Sequence, residues 1–163
     1  MSDLLLDAVT SSEAGVLENL LELYSHDLSD VFPIDLGSDG RFGYPSLPLY
    51  WTEPDRRFPF FIKQGNRILG FVLIMVCPCH PERAERVEGP PGKCDAGPST
   101  PLRVAWDDTA NDHHVFDIAE FFVLRRYRRS GVGREAAFLA WDRFPSSWTV
   151  RVAERNAGAL AFW

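Results

Sequence analysis

The residue types best suited to chemistry lie together in a basic, glycine-containing segment near residue 130. Five arginines fall within residues 125–134, and Gly131 and Gly133 stand where a predicted strand gives way to a predicted helix. The N–H groups in the first turn of a helix have no partner inside the helix, and glycine lets an anion approach them closely. Arginine side chains add matching charge. The segment therefore predicts a site for a phosphate-containing ligand rather than a turn with a solvated basic face.

Two nucleotide-binding patterns can be compared with this segment. The chain contains no G-x-x-x-x-G-K-[ST] motif, which excludes a phosphate loop of that type. Residues 131–136 fit the dinucleotide fingerprint G-x-G-x-x-A, and Glu154 follows a later predicted strand about where a ribose-binding acid belongs. However, the basic run 125–130 separates the strand from Gly131, whereas that fingerprint follows its strand almost directly. A dinucleotide site stays open as the less favoured alternative.

The same residues resemble the motif of a known family more closely. Residues 128–133 read R-x-x-G-x-G after a strand, which resembles the acetyl-CoA motif of the GCN5-related N-acetyltransferases (GNAT). A predicted strand at 148–153 precedes Asn156, Ala159 and Phe162, and this order resembles the N-x-x-A-x-x-aromatic helix of that family. The resemblance implies transfer of an acetyl group from acetyl-CoA to a primary amine of a small molecule or peptide. A catalytically impaired remnant that only binds coenzyme A is the alternative.

The resemblance also implies a fold and roles around coenzyme A. The fold would be α/β (α+β), with a mixed, mostly antiparallel central sheet flanked by helices. The backbone of Phe121, Phe122 and Val123 would pair with the pantetheine arm, and the Val123 N–H would face the thioester oxygen. Asn156 would contact the pantetheine or a bridging water. The residues implied at the pyrophosphate are Arg128, Arg129, Ser130, Gly131, Val132, Gly133 and Arg134.

Acetyl transfer by direct attack requires a base, because the acceptor ammonium must lose a proton before it attacks. Asp117 and Glu120 lie on the strand that precedes the motif and are the catalytic candidates. Residues three apart on a regular strand point to opposite faces, so only one can face the cleft unless a bulge intervenes. Asp117 shares the alternation of Phe121 and Val123, whereas Glu120 is closer in the strand to the residues implied at the thioester. Each could also be a solvent-facing carboxylate without a catalytic role.

Two features depart from the family pattern. Trp163 stands where many members carry a tyrosine general acid, and an indole does not release a proton at useful pH. The chain also ends at Trp163, so we expect the sheet to lack the last two strands of the family. The strand at 148–153 would then be an open edge. A homodimer that covers this edge is one expectation, and marginal stability is the other.

Patterning in the first half of the chain predicts elements that position the motif. A strand-length apolar stretch at 4–9 is followed by Thr10 and Glu13, which have the spacing of a capping box. Apolar residues then recur at helical spacing, with Tyr24 among them, and predict a helix over residues 13–31. Residues 33–54 are rich in glycine, proline and aromatic residues without a period. They predict a packed irregular segment that could line a pocket.

Three strands are predicted beyond that segment. Residues 58–62 and 68–76 flank a polar turn and predict a hairpin. The second strand of the hairpin is apolar on both faces, which favours a position in the middle of a sheet. Residues 115–124 predict the strand that leads into the glycine motif. Between them, residues 78–112 are rich in proline and glycine and predict an inserted surface loop within a single domain of residues 1–163.

Composition limits the partners of the chain. Its 163 residues are 45% hydrophobic and carry a formal net charge of −6, with a pI near 5.2. This balance argues against nucleic acid, because attachment to phosphate backbones depends on an excess of lysine and arginine. No signal peptide or membrane-spanning run is evident, so we expect a cytoplasmic protein without a membrane anchor. The three cysteines and four histidines match no paired zinc-ligand spacing, and no metal is expected.

Overall fold

A five-stranded sheet forms the centre of the computed structural model, which describes residues 3–77 and 115–163. The strands and helices are β1 (Leu4–Ala8), α1 (Ala14–Leu28), α2 (Leu49–Thr52), β2 (Arg57–Gln64), β3 (Arg67–Cys77), β4 (Val115–Val123), α3 (Val132–Arg143), β5 (Ser147–Val150) and α4 (Ala157–Phe162). The predicted insertion at 78–112 lies outside the described residues.

The strands lie in the order β1-β2-β3-β4-β5. The pairs β1–β2, β2–β3 and β3–β4 are antiparallel, and only β4–β5 is parallel. The predicted mixed, mostly antiparallel sheet flanked by helices is therefore confirmed. A doubly wound dinucleotide fold needs a mostly parallel sheet, so this topology speaks against the dinucleotide alternative.

The start of α1 follows from the capping box. The Glu13 carboxylate accepts hydrogen bonds from the Thr10 N–H at 3.1 Å and from Thr10 Oγ1 at 2.7 Å, and a single 3-10 turn leads into the helix. Leu17 and Leu21 bury one stripe of the helix. The helix ends at Leu28, three residues before its predicted end, because Ser29 Oγ and two turn N–H groups take up its last carbonyls.

Two apolar clusters lie on opposite faces of the sheet. One contains Ala136 and Ala140 of α3, packed on β1 to β4, and the other contains Leu17 and Leu21 of α1 with Tyr50 of α2. The central strand β3 supplies both, since successive side chains alternate between faces and residues 71–74 are all fully buried. The predicted central position of this strand is confirmed.

Strand β5 is shorter than predicted and ends at Val150. It pairs with β4 only over Val115 to Ile118, so the last five residues of β4 continue without a neighbour in β5. A parallel pair that separates in this way leaves a gap beside the exposed backbone groups of one strand. At the far end of that gap, a short 3-10 turn at Arg125–Tyr127 leads from β4 to the glycine motif.

Within the part of the chain that the structure describes, no helix has the length and apolar character needed to cross a bilayer.

Candidate active site

The glycine motif forms a turn with two left-handed residues just before the first amides of α3. Gly131 is the N-cap and has φ +88°, and Arg129 also has a positive φ of 61°. The first hydrogen bond of the helix runs from the Glu135 N–H to the Gly131 carbonyl. The N–H groups of residues 132–134 therefore have no carbonyl partner within the helix. Turns that combine left-handed and right-handed residues can direct successive N–H groups to one point, and such concavities bind anions. Phosphate binding at this turn stays a prediction.

The arginines of the segment point in different directions. Arg125 and Arg128 both pair with Asp27 on α1, at 2.6 Å and 2.5 Å. Arg134 lies over the Phe138 ring at 5.6 Å, and Arg129 is exposed. Arg126, Arg129 and Arg134 are not engaged by a carboxylate within the described part of the chain, whereas the guanidinium of Arg128 already binds Asp27 and the Val123 carbonyl. A role of Arg128 at the pyrophosphate stays a prediction.

The end of β4 presents its backbone toward the gap left by β5. The Leu124 N–H donates to the Leu69 carbonyl at 2.9 Å, and successive residues of a strand point their N–H groups to opposite sides. The N–H and carbonyl of Val123 therefore face away from β3. Its carbonyl accepts a hydrogen bond from Arg128 Nε at 2.7 Å, as this orientation requires. The Val123 N–H is placed where a ligand in the gap could accept from it.

A bulge in β4 decides which way the two candidate carboxylates point. Leu73 pairs with Glu120 and Ile74 pairs with Ile118, so Ala119 is the extra residue. Before the bulge Ile118 faces the α3 side, and after it Val123 does. Asp117 and Glu120 consequently share the α1 face. The expected alternation of Asp117 with Phe121 and Val123 is wrong, because the bulge changes the phase of the strand between them.

Glu120 lies half-buried beneath two tyrosines from different elements. The Tyr24 hydroxyl of α1 donates to Glu120 Oε2, and the Tyr44 hydroxyl donates to Glu120 Oε1 at 3.1 Å. Burial raises the pKa of Glu120 above its usual range, while the two tyrosine hydrogen bonds and the Arg151 charge oppose the rise. Burial and the nearby Glu120 charge also raise the pKa values of both tyrosines. The tyrosines therefore stay protonated donors at neutral pH.

Asp117 is more deeply buried and is held by β5. Its side chain is 2% exposed, accepts from Thr149 Oγ1 at 2.9 Å and pairs with Arg151 at 2.6 Å. These contacts join β4 to β5 just before the two strands separate. The arrangement suits a structural anchor better than a base, because the side chain is almost completely buried and its charge is paired with Arg151.

Asn156 and the aromatic residues after it lie on the other side of the gap. Asn156 Oδ1 caps α4 by accepting from the Ala159 N–H at 3.0 Å, which leaves its amide N–H groups for other partners. The Phe162 ring stacks on Phe121 at 5.6 Å and would contact a Cβ on Gly133 at 3.1 Å. The Trp163 ring packs edge-on against Phe121 at 5.3 Å.

The remaining predicted cofactor residues take structural positions. Phe122 is buried against Phe71 and Tyr24 on the α1 face, and its backbone pairs with Phe71 of β3. Ser130 Oγ donates to the Tyr127 carbonyl at 2.7 Å and closes the turn before Gly131. Val132 begins α3 and packs against the apolar cluster on that face.

Sequence reasoning missed three residues of the site. Tyr24 was expected only as part of the apolar stripe of α1, Tyr44 only as a residue of an irregular segment, and Asp27 was not singled out. A tyrosine within a stripe of leucines carries a hydroxyl that needs a partner when buried, and this was the available signal. Nothing local marks Asp27, since its partners lie about 100 positions away in the sequence.

In residues 3–77 and 115–163 no cluster of three or more histidine, cysteine, aspartate or glutamate residues is arranged to hold a metal ion. Most of the cysteines and histidines weighed as ligands, including Cys79, His80 and Cys94, lie outside these ranges.

Several solved structures are similar to this fold at low sequence identity. A protein described as a possible acetyltransferase from Clostridium difficile 630 is 9% identical with a TM-score of 0.63, over 98% of this chain and 86% of that one. An aminoglycoside acetyltransferase from an uncultured soil metagenomic sample, solved with sisomicin, is 11% identical with a TM-score of 0.62, over 98% and 84%. AAC(6')-Iy, solved with a coenzyme A bisubstrate analogue, is 15% identical with a TM-score of 0.53, over 99% and 87%.

Sequence comparison identifies the family. No curated protein matches the chain. The sequence model of the acetyltransferase (GNAT) family, however, matches residues 17–163, which include most of α1, the bulged strand β4 and the glycine motif. The match covers most of the chain and agrees with the sheet topology described above. The protein therefore belongs to the GNAT acetyltransferase family, and its fold is that of an acyltransferase.

Proposed function

We propose that this protein transfers the acetyl group of acetyl-CoA to a primary amine of a small cationic molecule or peptide by direct attack. The observation that carries the proposal is the position of Glu120. This carboxylate is held by Tyr24 and Tyr44 on the strand whose free end also presents the Val123 N–H. A proton acceptor and an oxyanion donor thus lie on one short stretch of backbone.

The acetyl-CoA site of this proposal follows β4 into α3. The pyrophosphate would rest on the amides of residues 129–134, with charge from the Arg129 and Arg134 side chains. The pantetheine arm would pair with the backbone of residues 121–123, which has no neighbour in β5. Asn156 would contact the pantetheine or a bridging water through its amide N–H groups, since its oxygen caps α4.

Glu120 would accept a proton from the acceptor ammonium, and the neutral nitrogen would then attack the thioester carbonyl carbon. The oxyanion of the tetrahedral intermediate would accept a hydrogen bond from the Val123 N–H, a contribution on the order of 3 kcal/mol for one good donor. The C–S bond then breaks and coenzyme A leaves as a thiolate, for which a pKa near 8.5 is ordinary. The attacking nitrogen loses its second proton to water or to this thiolate, which gives the neutral amide. An acid at Trp163 is therefore not required.

The acceptor is best supported as a cationic amine. The chain carries a formal charge of −6, which favours the approach of cations. Tyr44 also forms part of the wall of an open groove of about 520 Å³ on the α1 face, where Glu18 and Trp51 lie nearby. Two of the similar structures are aminoglycoside acetyltransferases. Aminoglycosides are accordingly one class to test, beside polyamines and peptides with a free amine.

The test is release of coenzyme A thiol on mixing the full chain and acetyl-CoA with each member of such an amine panel. We expect at least one cationic amine to accelerate thiol release, and Glu120→Gln to lower kcat/KM by roughly 10²-fold, the size of a general-base contribution. Thiol release that no amine accelerates, by folded protein that binds acetyl-CoA, would contradict the proposal.

A second candidate is a protein that binds coenzyme A without turnover. One observation favours it, because Tyr24 and Tyr44 already occupy both oxygens of Glu120. These two hydrogen bonds lower the basicity of the carboxylate, against the rise that burial causes. Tight binding of acetyl-CoA together with an inert amine panel would support this candidate.

A homodimer and a cytoplasmic location stay proposals. Exposed apolar residues, Phe138, Leu160 and Phe162 among them, support self-association near the β5 edge. Light scattering of the purified chain at several concentrations tests the dimer, which requires twice the mass of the 18.4 kDa monomer.

A further inference from the structure

Asp27, in the last turn of α1, is bound by the segment that leads to the glycine motif. Its Oδ1 lies 2.6 Å from Arg125 Nη2 and 2.9 Å from Arg125 Nε, and its Oδ2 lies 2.5 Å from Arg128 Nη2. The Asp27 side chain is only 16% exposed. Burial opposes its charge, yet the hydrogen bonds from Arg125 and Arg128 hold the pKa of Asp27 below its usual range. The carboxylate is therefore a fixed anion between two arginines.

Arg128 extends this connection to β4. Its Nε donates to the Val123 carbonyl at 2.7 Å, and its guanidinium lies 5.4 Å from the centre of the Phe122 ring. Arg128, the first residue of the R-x-x-G-x-G motif, thus connects the motif to α1 and to the end of β4 that has no neighbour in β5. A planar guanidinium can hold such an arrangement because its donors have fixed directions.

The two arginines flank the turn that shapes the amide concavity. A 3-10 turn runs from Arg125 to Tyr127, and Arg128 caps its C-terminal end. The left-handed residue Arg129 follows immediately. Asp27 also lies three residues after Tyr24, so both project from the same side of α1. One helix therefore holds the phosphate-binding turn and the candidate base at once.

We propose that Asp27 is a positioning residue for acetyl-CoA binding, which acts through Arg125 and Arg128 to keep the amides of residues 129–133 converged on the pyrophosphate. The inference rests on the proposed acetyl-CoA site and adds a residue to it. Removal of hydrogen bonds to a charged group predicts a Kd for acetyl-CoA that rises about tenfold or more in Asp27→Ala.

Isothermal titration of the full chain with acetyl-CoA tests the inference. Asp30→Ala is the matched control, because it removes an exposed carboxylate from the turn just after α1. Asp27→Asn keeps the side-chain shape and is measured as well, so that a poorly folded Asp27→Ala does not decide the result. Arg128→Ala and the double variant Asp27→Ala/Arg128→Ala complete a double-mutant cycle.

We expect weaker binding by both Asp27 variants and unchanged binding by Asp30→Ala. Adding Asp27→Ala to Arg128→Ala should cost less than it does in the wild type, because only the contact with Arg125 then remains to be lost. Wild-type affinity in Asp27→Ala or Asp27→Asn would overturn this inference alone. Full additivity in the cycle would also overturn it, since Asp27 would then not act through Arg128. Absence of acetyl-CoA binding by the folded wild-type chain would overturn the proposed function together with it.

Discussion

Tyr24 and Glu120 lie 96 positions apart in the sequence, and the tyrosine hydroxyl donates a hydrogen bond to Glu120 Oε2. The bond joins helix α1 to the bulged strand β4 beside the free end of that strand. This hydrogen bond stabilises the ionised form of Glu120 and lowers its pKa, whereas burial raises that pKa. The packing of α1 against β4 thus influences the pKa of the candidate base, Glu120.

Tyr24→Phe is expected to move the acid limb of the pH profile to higher pH. Burial already raises the pKa of Glu120, so kcat/KM rises as pH increases through a value above the usual glutamate range. Loss of the Tyr24 donor removes an interaction that lowers this pKa, so the limb should move to higher pH. Glu120→Gln, which cannot titrate, should lose the limb. A limb at the same pH in Tyr24→Phe would show that Glu120 is not the titrating group.

Asp117→Asn is expected to affect stability more than catalysis. The change removes the charge that pairs with Arg151 while it keeps the side-chain shape. Because Arg151 is 69% exposed and can return to water, we expect a loss of about 1–2 kcal/mol in the free energy of unfolding. Urea unfolding and kcat/KM measured well below the melting temperature separate the two effects. An inactive variant of unchanged stability would instead identify Asp117 as the base.

Gly70→Ala is expected to be strongly destabilising. A Cβ at this position would lie 2.0 Å from the Phe122 carbonyl oxygen, and the backbone of a central strand cannot move aside cheaply. We expect a loss of about 3 kcal/mol or more. Gly15→Ala is the control, because it meets nothing within 4 Å and should stabilise α1 by up to about 1 kcal/mol. Equal stability of Gly70→Ala and the wild type would contradict the close approach of β3 and β4.

Much of this fold could be predicted from the sequence, because it depends on local patterns. The apolar strand 71–74, the capping box at Thr10 and the turn at Gly131 each carry their own signal. The bulge at Ala119 carries none, and it alone reverses which residues share a face with Asp117. Contacts between distant segments, such as that of Asp27 with Arg128, depend on the packed structure and leave no periodic trace.

Deletion of residues 81–100 is expected to leave the melting temperature unchanged or higher. The segment itself lies outside the described residues, but Cys77 at the end of β3 pairs with Val115 at the start of β4. Neighbouring antiparallel strands can be joined by a short loop, and a shorter loop costs less entropy to close. Differential scanning calorimetry of both chains makes the comparison. A large decrease in melting temperature would show that the segment packs against the core.

Isothermal titration with acetyl-CoA, with NAD as the control ligand, tests the central claim most directly. Gly131→Glu would place a carboxylate where the pyrophosphate belongs, and Gly40→Glu is its control, because both glycines have a positive φ and open space around them. We predict a Kd on the order of micromolar for acetyl-CoA in the wild type and in Gly40→Glu. We predict no binding of acetyl-CoA by Gly131→Glu and none of NAD by the wild type. Unchanged affinity in Gly131→Glu, or a folded wild-type chain that does not bind acetyl-CoA, would contradict the account.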